Sequence, residues 1–168
     1  MPDTSTEVAI ATTTLSSAAS SITFSAIPNT FTDLRIVFVG TQGASTAYVY
    51  VRVNGDTGSN YSETYLAGSG STATSGRNTN ATQWGVAANA SLDTSIPALV
   101  TLDIFNYAGS TNKTALGTEQ NDKNGSGYVG RTVHLWRSTA AITSVDLRSA
   151  GGSSTYAAGT TATLYGIL

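Results

Sequence analysis

The chain has no cysteine in its 168 residues, which excludes disulfides, thiolate metal sites and cysteine nucleophiles. It has little charge: Asp, Glu, Lys and Arg together make up 11% of the sequence, less than half of the roughly 25% usual in soluble domains. With a net charge of −2 and no basic run, nothing points to nucleic-acid binding by phosphate neutralisation. No apolar run approaches the roughly 18 residues that a membrane helix needs. The opening "MPDTSTEVAIATTTLSS" has neither a basic segment nor a continuous apolar core, so it lacks the pattern of a secretory signal. Stability must come from packing and strand pairing alone. A surface that is hydrophilic yet nearly uncharged is weakly self-repelling, which suits a protein that works within an assembly.

What is abundant is Ser, Thr, Gly and Asn, arranged around short runs of period two. "SITFSAIP" alternates Ile22, Phe24 and Ala26 with hydroxyls. "DLRIVFVG" sets Leu34, Ile36 and Phe38 against Arg35, Val37 and Val39. "TAYVYVRVN" places Ala47, Val49, Val51 and Val53 inward. Val100, Leu102 and Ile104 repeat the pattern, as do Val145 with Leu147 and Ala162 with Leu164. In "GYVGRTVHLWR", Val129, Val133 and Leu135 oppose Tyr128, Thr132, His134 and Trp136. "EVAIATTTL" and "TQWGVAAN" add weaker strands. Such alternation between Gly, Asn, Asp and Ser clusters marks half-buried strands. No helical period intervenes, and parallel strands need long crossovers. The fold expected is therefore all-β: an antiparallel β-sandwich of about eight to ten strands, wrapped as a jelly roll. Residues 8–168 form one domain. Residues 1–7 are expected to be a loose arm, extending to about residue 20. Residues 67–80, "AGSGSTATSGRNTN", read as a long exposed loop.

Three places in the sequence offer side chains that could carry chemistry. The acidic turn "VNGDTGSN", residues 53–60, offers one carboxylate, Asp56, where a calcium loop needs several at alternate positions. Asn54-Gly55 is instead a strong hairpin signal. His134, the only histidine, reads as a strand residue on a half-exposed face, since no Gly-x-Ser-x-Gly elbow accompanies it. Asp103 and Asp146 lie in expected strands, but strand acids of this kind commonly pair with strand arginines such as Arg35, Arg52, Arg131, Arg137 and Arg148. No phosphate-binding loop or dinucleotide fingerprint is present. The expectation is a protein without catalytic residues, metal or cofactor. Asn-x-Ser/Thr triplets at Asn60, Asn80, Asn89, Asn112 and Asn124 are incidental in such a composition.

"RVNGDTGSNYSETYL", "LWRSTAAITSVDLRSAGG" and "YAAGTTATLYGIL" together resemble small structural proteins of tailed bacteriophages, notably those of cyanobacterial and other aquatic hosts. The likeness spans residues 20–168. It implies a virion component with a β-sandwich fold, either a capsid decoration (cement) protein or a part of the tail fibre, commonly trimeric. The first expectation is a cement homotrimer on the outer capsid surface that bridges major capsid subunits, with Val8 and Ile10 of the N-terminal segment adding a strand to a neighbour. The second is a tail-fibre or receptor-binding module for host-surface glycan, with Tyr61, Tyr65 and Trp84 beside the loop at 67–80. A carbohydrate-active enzyme is a third and weaker reading.

Overall fold

The computed structural model describes residues 6–87 and 91–168, and its regular elements are all strands. In chain order these are β1 (Glu7–Thr14), β2 (Ser21–Phe24), β3 (Asp33–Gly40), β4 (Val49–Val53), β5 (Tyr61–Gly68) and β6 (Ala73–Ala81). They continue as β7 (Trp84–Ala87), β8 (Ala98–Phe105), β9 (Lys113–Asp122), β10 (Gly127–Trp136), β11 (Val145–Arg148) and β12 (Thr161–Ile167). A large sheet runs β1-β12-β3-β8-β9-β10-β5-β6, and a small one runs β2-β11-β4-β7. All pairings are antiparallel. The protein is an all-β antiparallel sandwich, with twelve strands among the described residues rather than eight to ten.

The period-two reading finds its face in most strands. Leu34, Ile36 and Phe38 of β3, Val49, Val51 and Val53 of β4, Val100, Leu102 and Ile104 of β8, Val145 and Leu147 of β11, and Leu164 of β12 are all buried in one core. Each strand projects alternate side chains into the space between the sheets, so one core forms from both. One expected position fails. Ala26 is exposed and has φ 54°, whereas Ile27 is buried. β2 ends at Phe24, and the left-handed residue turns the next side chain inward.

Three strands were not expected: β5, β6 and β9. The segment read as a long loop is the hairpin β5–β6, closed by a short turn in which Ser69 N donates to Thr72 O at 3.0 Å. The hairpin β9–β10 is a second insertion, and β10 pairs with β5. Together the two hairpins extend the large sheet four strands beyond β8, while the small sheet has no equivalent strands. β6 is therefore exposed along nearly its whole length.

The N-terminal segment departs from the expected arm. From Glu7 onward it is β1, an edge strand paired with β12 of the same chain, with a bulge between Ala9 and Ala11. Val8 and Ile10 are half-buried, and Ile10 packs against the core. The rest of the expected arm, Met1–Ser5, lies outside the described residues.

Candidate functional site

The inserted strands depart from the polarity of the rest of the sandwich: Tyr61, Ala67, Ala115 and Trp136 are buried, but polar residues share their inner face and large apolar residues appear on the outer one. On β9 the inward residues include Lys113, Gly117 and Glu119, whereas Leu116 points outward. On β10 Thr132 and His134 point inward, while Val129 and Val133 face out. On β5 Glu63 is inward and Leu66 outward. Leu66, Val129 and Val133 are 62%, 60% and 55% exposed. Register joins them into one patch: Val133 lies opposite Leu116 and Thr64, Arg131 opposite Leu66, and Val129 opposite Gly68. Toward the other edge the outer face becomes hydroxylic, with cross-strand pairs Thr12–Thr163 and Thr14–Thr161 at 3.0 Å, and Thr101–Thr118.

At one end the patch runs into a cleft of about 620 Å³ between the β5–β6 and β9–β10 turns, lined by Gly68, Gly70, Leu99, Gly127, Tyr128 and Val129. The glycines keep its walls low, and Gly70 (φ 88°) and Gly125 (φ 112°) adopt turn conformations that side chains disfavour. Arg131 and Thr64 interrupt the apolar residues, yet the exposed large side chains of the described residues gather on this face more than single scattered ones would.

The inward polar groups form a separate cluster. Glu63 Oε2 accepts from Gly85 N at 2.6 Å, and Oε1 accepts from Asn78 Nδ2 at 2.7 Å. β7 is the edge of the small sheet, so this carboxylate caps an open strand edge from the opposite sheet. His134 Nδ1 faces Glu63 Oε2 at 3.5 Å, both side chains being nearly or wholly buried. Burial pushes the Glu63 carboxyl up, but bonds from His134, Asn78 and Gly85 outweigh it and hold it below the usual range. His134 is thus fully buried, against the expectation of a half-exposed face. The inward side of β10 is its polar one, so the apolar residues gave no cue.

The expected aromatic platform is not there. Tyr61 and Trp84 are fully buried and meet edge to face, with ring centroids 5.8 Å apart. Trp84 Nε1 donates to Leu135 O at 3.0 Å, and burial pushes the Tyr61 phenol up to about 12. Neither ring can present a face to a ligand. Tyr65 alone is half-open, its ring lying over Gly76 of the neighbouring edge strand.

The acidic turn holds the two sheets together. Asn54 (φ 52°) and Gly55 (φ 64°) turn the chain, closed by Asp56 N donating to Val53 O at 2.9 Å. It is not a hairpin, since β4 and β5 belong to different sheets. Asp56 accepts from Trp136 Nε1 at 2.7 Å, Gly58 N at 2.8 Å and Asn60 Nδ2 at 2.9 Å. The Trp136 bond is the main reason that its carboxyl stays below the usual range. Among the described residues no group of three or more His, Cys, Asp or Glu could hold a metal ion. Asp103 pairs with Arg35 across β3 and β8 at 2.6 Å, and Asp146 with Arg148 at 2.8 Å. These acids lie on different sheets, so they do not converge as a catalytic pair would. No protein-family model, curated protein or solved structure matches the chain.

Proposed function

We propose that this chain is a contact module of a virion, a capsid decoration (cement) subunit that assembles as a homotrimer and bridges major capsid subunits on the outer shell. The observation that carries the contact role is the mixed pattern of β5, β9 and β10, which exposes Leu66, Val129 and Val133 and buries Glu63, Lys113 and His134. A lone sandwich gains nothing from that arrangement, because apolar surface left in water forgoes about 25 cal/mol per Å². A partner that covers the patch recovers it. The patch itself, about five residues on each of β9, β10 and β5, covers roughly 250 Å² at ~4.8 Å between strands and ~3.4 Å per residue, and with the hydroxylic remainder the outer face of the sheet reaches roughly 1,000 Å². A standard specific interface of roughly 800 Å² per partner would thus take in the patch and much of the hydroxylic face beside it.

The virion assignment rests on the sequence resemblance, and the strand order is compatible with it. Without the two hairpins, β1-β12-β3-β8 faces β2-β11-β4-β7, with first beside last and second beside next-to-last, an order that supports reading the wrap as a jelly roll. The strand-addition role of Val8 and Ile10 now falls on the free edge of β1.

The test is Leu66→Asp with Val133→Asp. Wild type should self-associate in light scattering and co-sediment with tail-free capsids; the double variant should remain a folded monomer and stay in solution. A wild-type monomer at high concentration, or a double variant that still binds capsids, would overturn the assignment. Binding to isolated tails alone would move the site to the fibre.

A further inference from the structure

The corner between the edge of β7 and the β5–β6 hairpin holds a second cleft, of about 460 Å³, on a different part of the molecule from the apolar patch. Tyr50 and Tyr65 contribute half-buried rings, Asn78 and Gln83 contribute amides, and Glu63 is the one charged residue in its lining. We propose that this cleft binds a neutral saccharide.

The chemistry follows from which groups are already committed. Glu63 spends its oxygens on Asn78 and Gly85 and faces His134, with 6% of its side chain exposed. It therefore orders the floor of the cleft and leaves little charge for an ionic ligand to neutralise. Asn78 uses its amide on Glu63 and keeps a carbonyl to accept. Gln83 uses its carbonyl on Arg52 at 3.3 Å and keeps an amide to donate. The tyrosine hydroxyls can do both. Free donors and acceptors beside half-buried rings suit the hydroxyl edges and C–H faces of a sugar. The backbone supports the arrangement: the β5–β6 register slips between Tyr61 and Glu63, and Asn80 sits at φ 55°. This bulge turns the chain toward Gln83, as bulges beside binding sites do.

The test is titration of the ¹⁵N-labelled full chain with maltotetraose, cellotetraose, laminaritetraose and chitotetraose, followed by amide chemical shifts. At least one should move the amides of Tyr50, Tyr65 and Gly76–Gly85. Gln83→Ala should weaken that sugar about fivefold or more, the loss of one hydrogen bond, and Tyr50→Ala should weaken it further. An otherwise unchanged spectrum will show that both variants are folded. The proposal fails if none of the four sugars moves these amides, if shifts gather only around Gly125–Val129, or if both variants bind as wild type does. Leu66→Asp should leave the sugar response intact, which separates this site from the contact surface.

Discussion

Replacing Asp56 by Ala removes the acceptor for three donors at once. The indole N–H of Trp136 is the costly one, because Trp136 is buried, and orphaning a buried donor costs about 1–3 kcal/mol. Gly58 is exposed and Asn60 half-buried, so water can replace much of what they lose, at ~0.5 kcal/mol each. The sum is about 2–4 kcal/mol, which in a chain of this size lowers Tm by roughly 5–15 °C. Asp56→Asn should cost less, about 1 kcal/mol: its one carbonyl oxygen can still serve Trp136 and Asn60, and only Gly58 then meets an amide. The pH dependence follows from the lowered native pKa. Asp56 contributes fully above its unfolded value of about 3.9, and the contribution fades as pH falls through the native value. The gap between wild type and Asp56→Ala in urea melts should thus be flat from neutral pH to about pH 4 and close below it. Trp136 fluorescence reports the transition. An Asp56→Ala protein with an unchanged midpoint, or a gap that stays constant into strong acid, would refute the idea that this carboxylate ties the sheets.

Glu63→Ala should destabilise by about 2–3 kcal/mol, since it strips the acceptor from Gly85 N–H and leaves His134 buried without its carboxylate; a denaturation midpoint within error of wild type would contradict this. Glu63→Gln should lose less, because the amide oxygen can still accept from Gly85. Deleting residues 1–11 removes most of β1 and uncovers the edge of β12, so urea melts should show a clearly less stable domain. A truncation as stable as wild type would mean that β1 adds nothing to its own chain and is free to serve a neighbour.

The wrapped part of the fold was legible because its alternation is clean. β3, β4, β8 and β11 put Val, Ile, Leu and Phe on one face, and both sheets need that face. The inserted hairpins were not legible for the opposite reason. β9 points Lys113, Ala115, Gly117 and Glu119 inward and Leu116 outward, so its core side holds only one small apolar residue to find. β6 has no buried face at all and reads as the polar, glycine-containing loop it resembles in composition. The Asn-Gly turn was correct as a turn and wrong as a hairpin, because local φ preferences do not say which sheet the next strand will join. Burial of Tyr61 and Trp84 follows from a bond that sequence spacing cannot show: Trp84 reaches Leu135, 51 positions away.

The same mixed pattern bears on where the candidate sites lie. The strands β1-β12-β3-β8 and β2-β11-β4-β7 enclose a conventional core. β7 of the small sheet lies over β9, β10 and β5, and the inner faces of these added strands bury a mixed set in which Tyr61, Ala67, Ala115 and Trp136 sit beside polar groups. They bury Glu63, Lys113, Thr132 and His134 on the inner side, with Glu63 and Lys113 hydrogen-bonded there, and turn Leu66, Val129 and Val133 outward. Tertiary folding alone would favour the reverse, because a buried polar group is at best neutral and an exposed leucine forgoes its transfer energy. The apolar patch lies on the inserted strands, and each cleft forms where those strands meet the rest of the sandwich, at Leu99 of β8 in one and at Tyr50, Gln83 and Gly85 in the other.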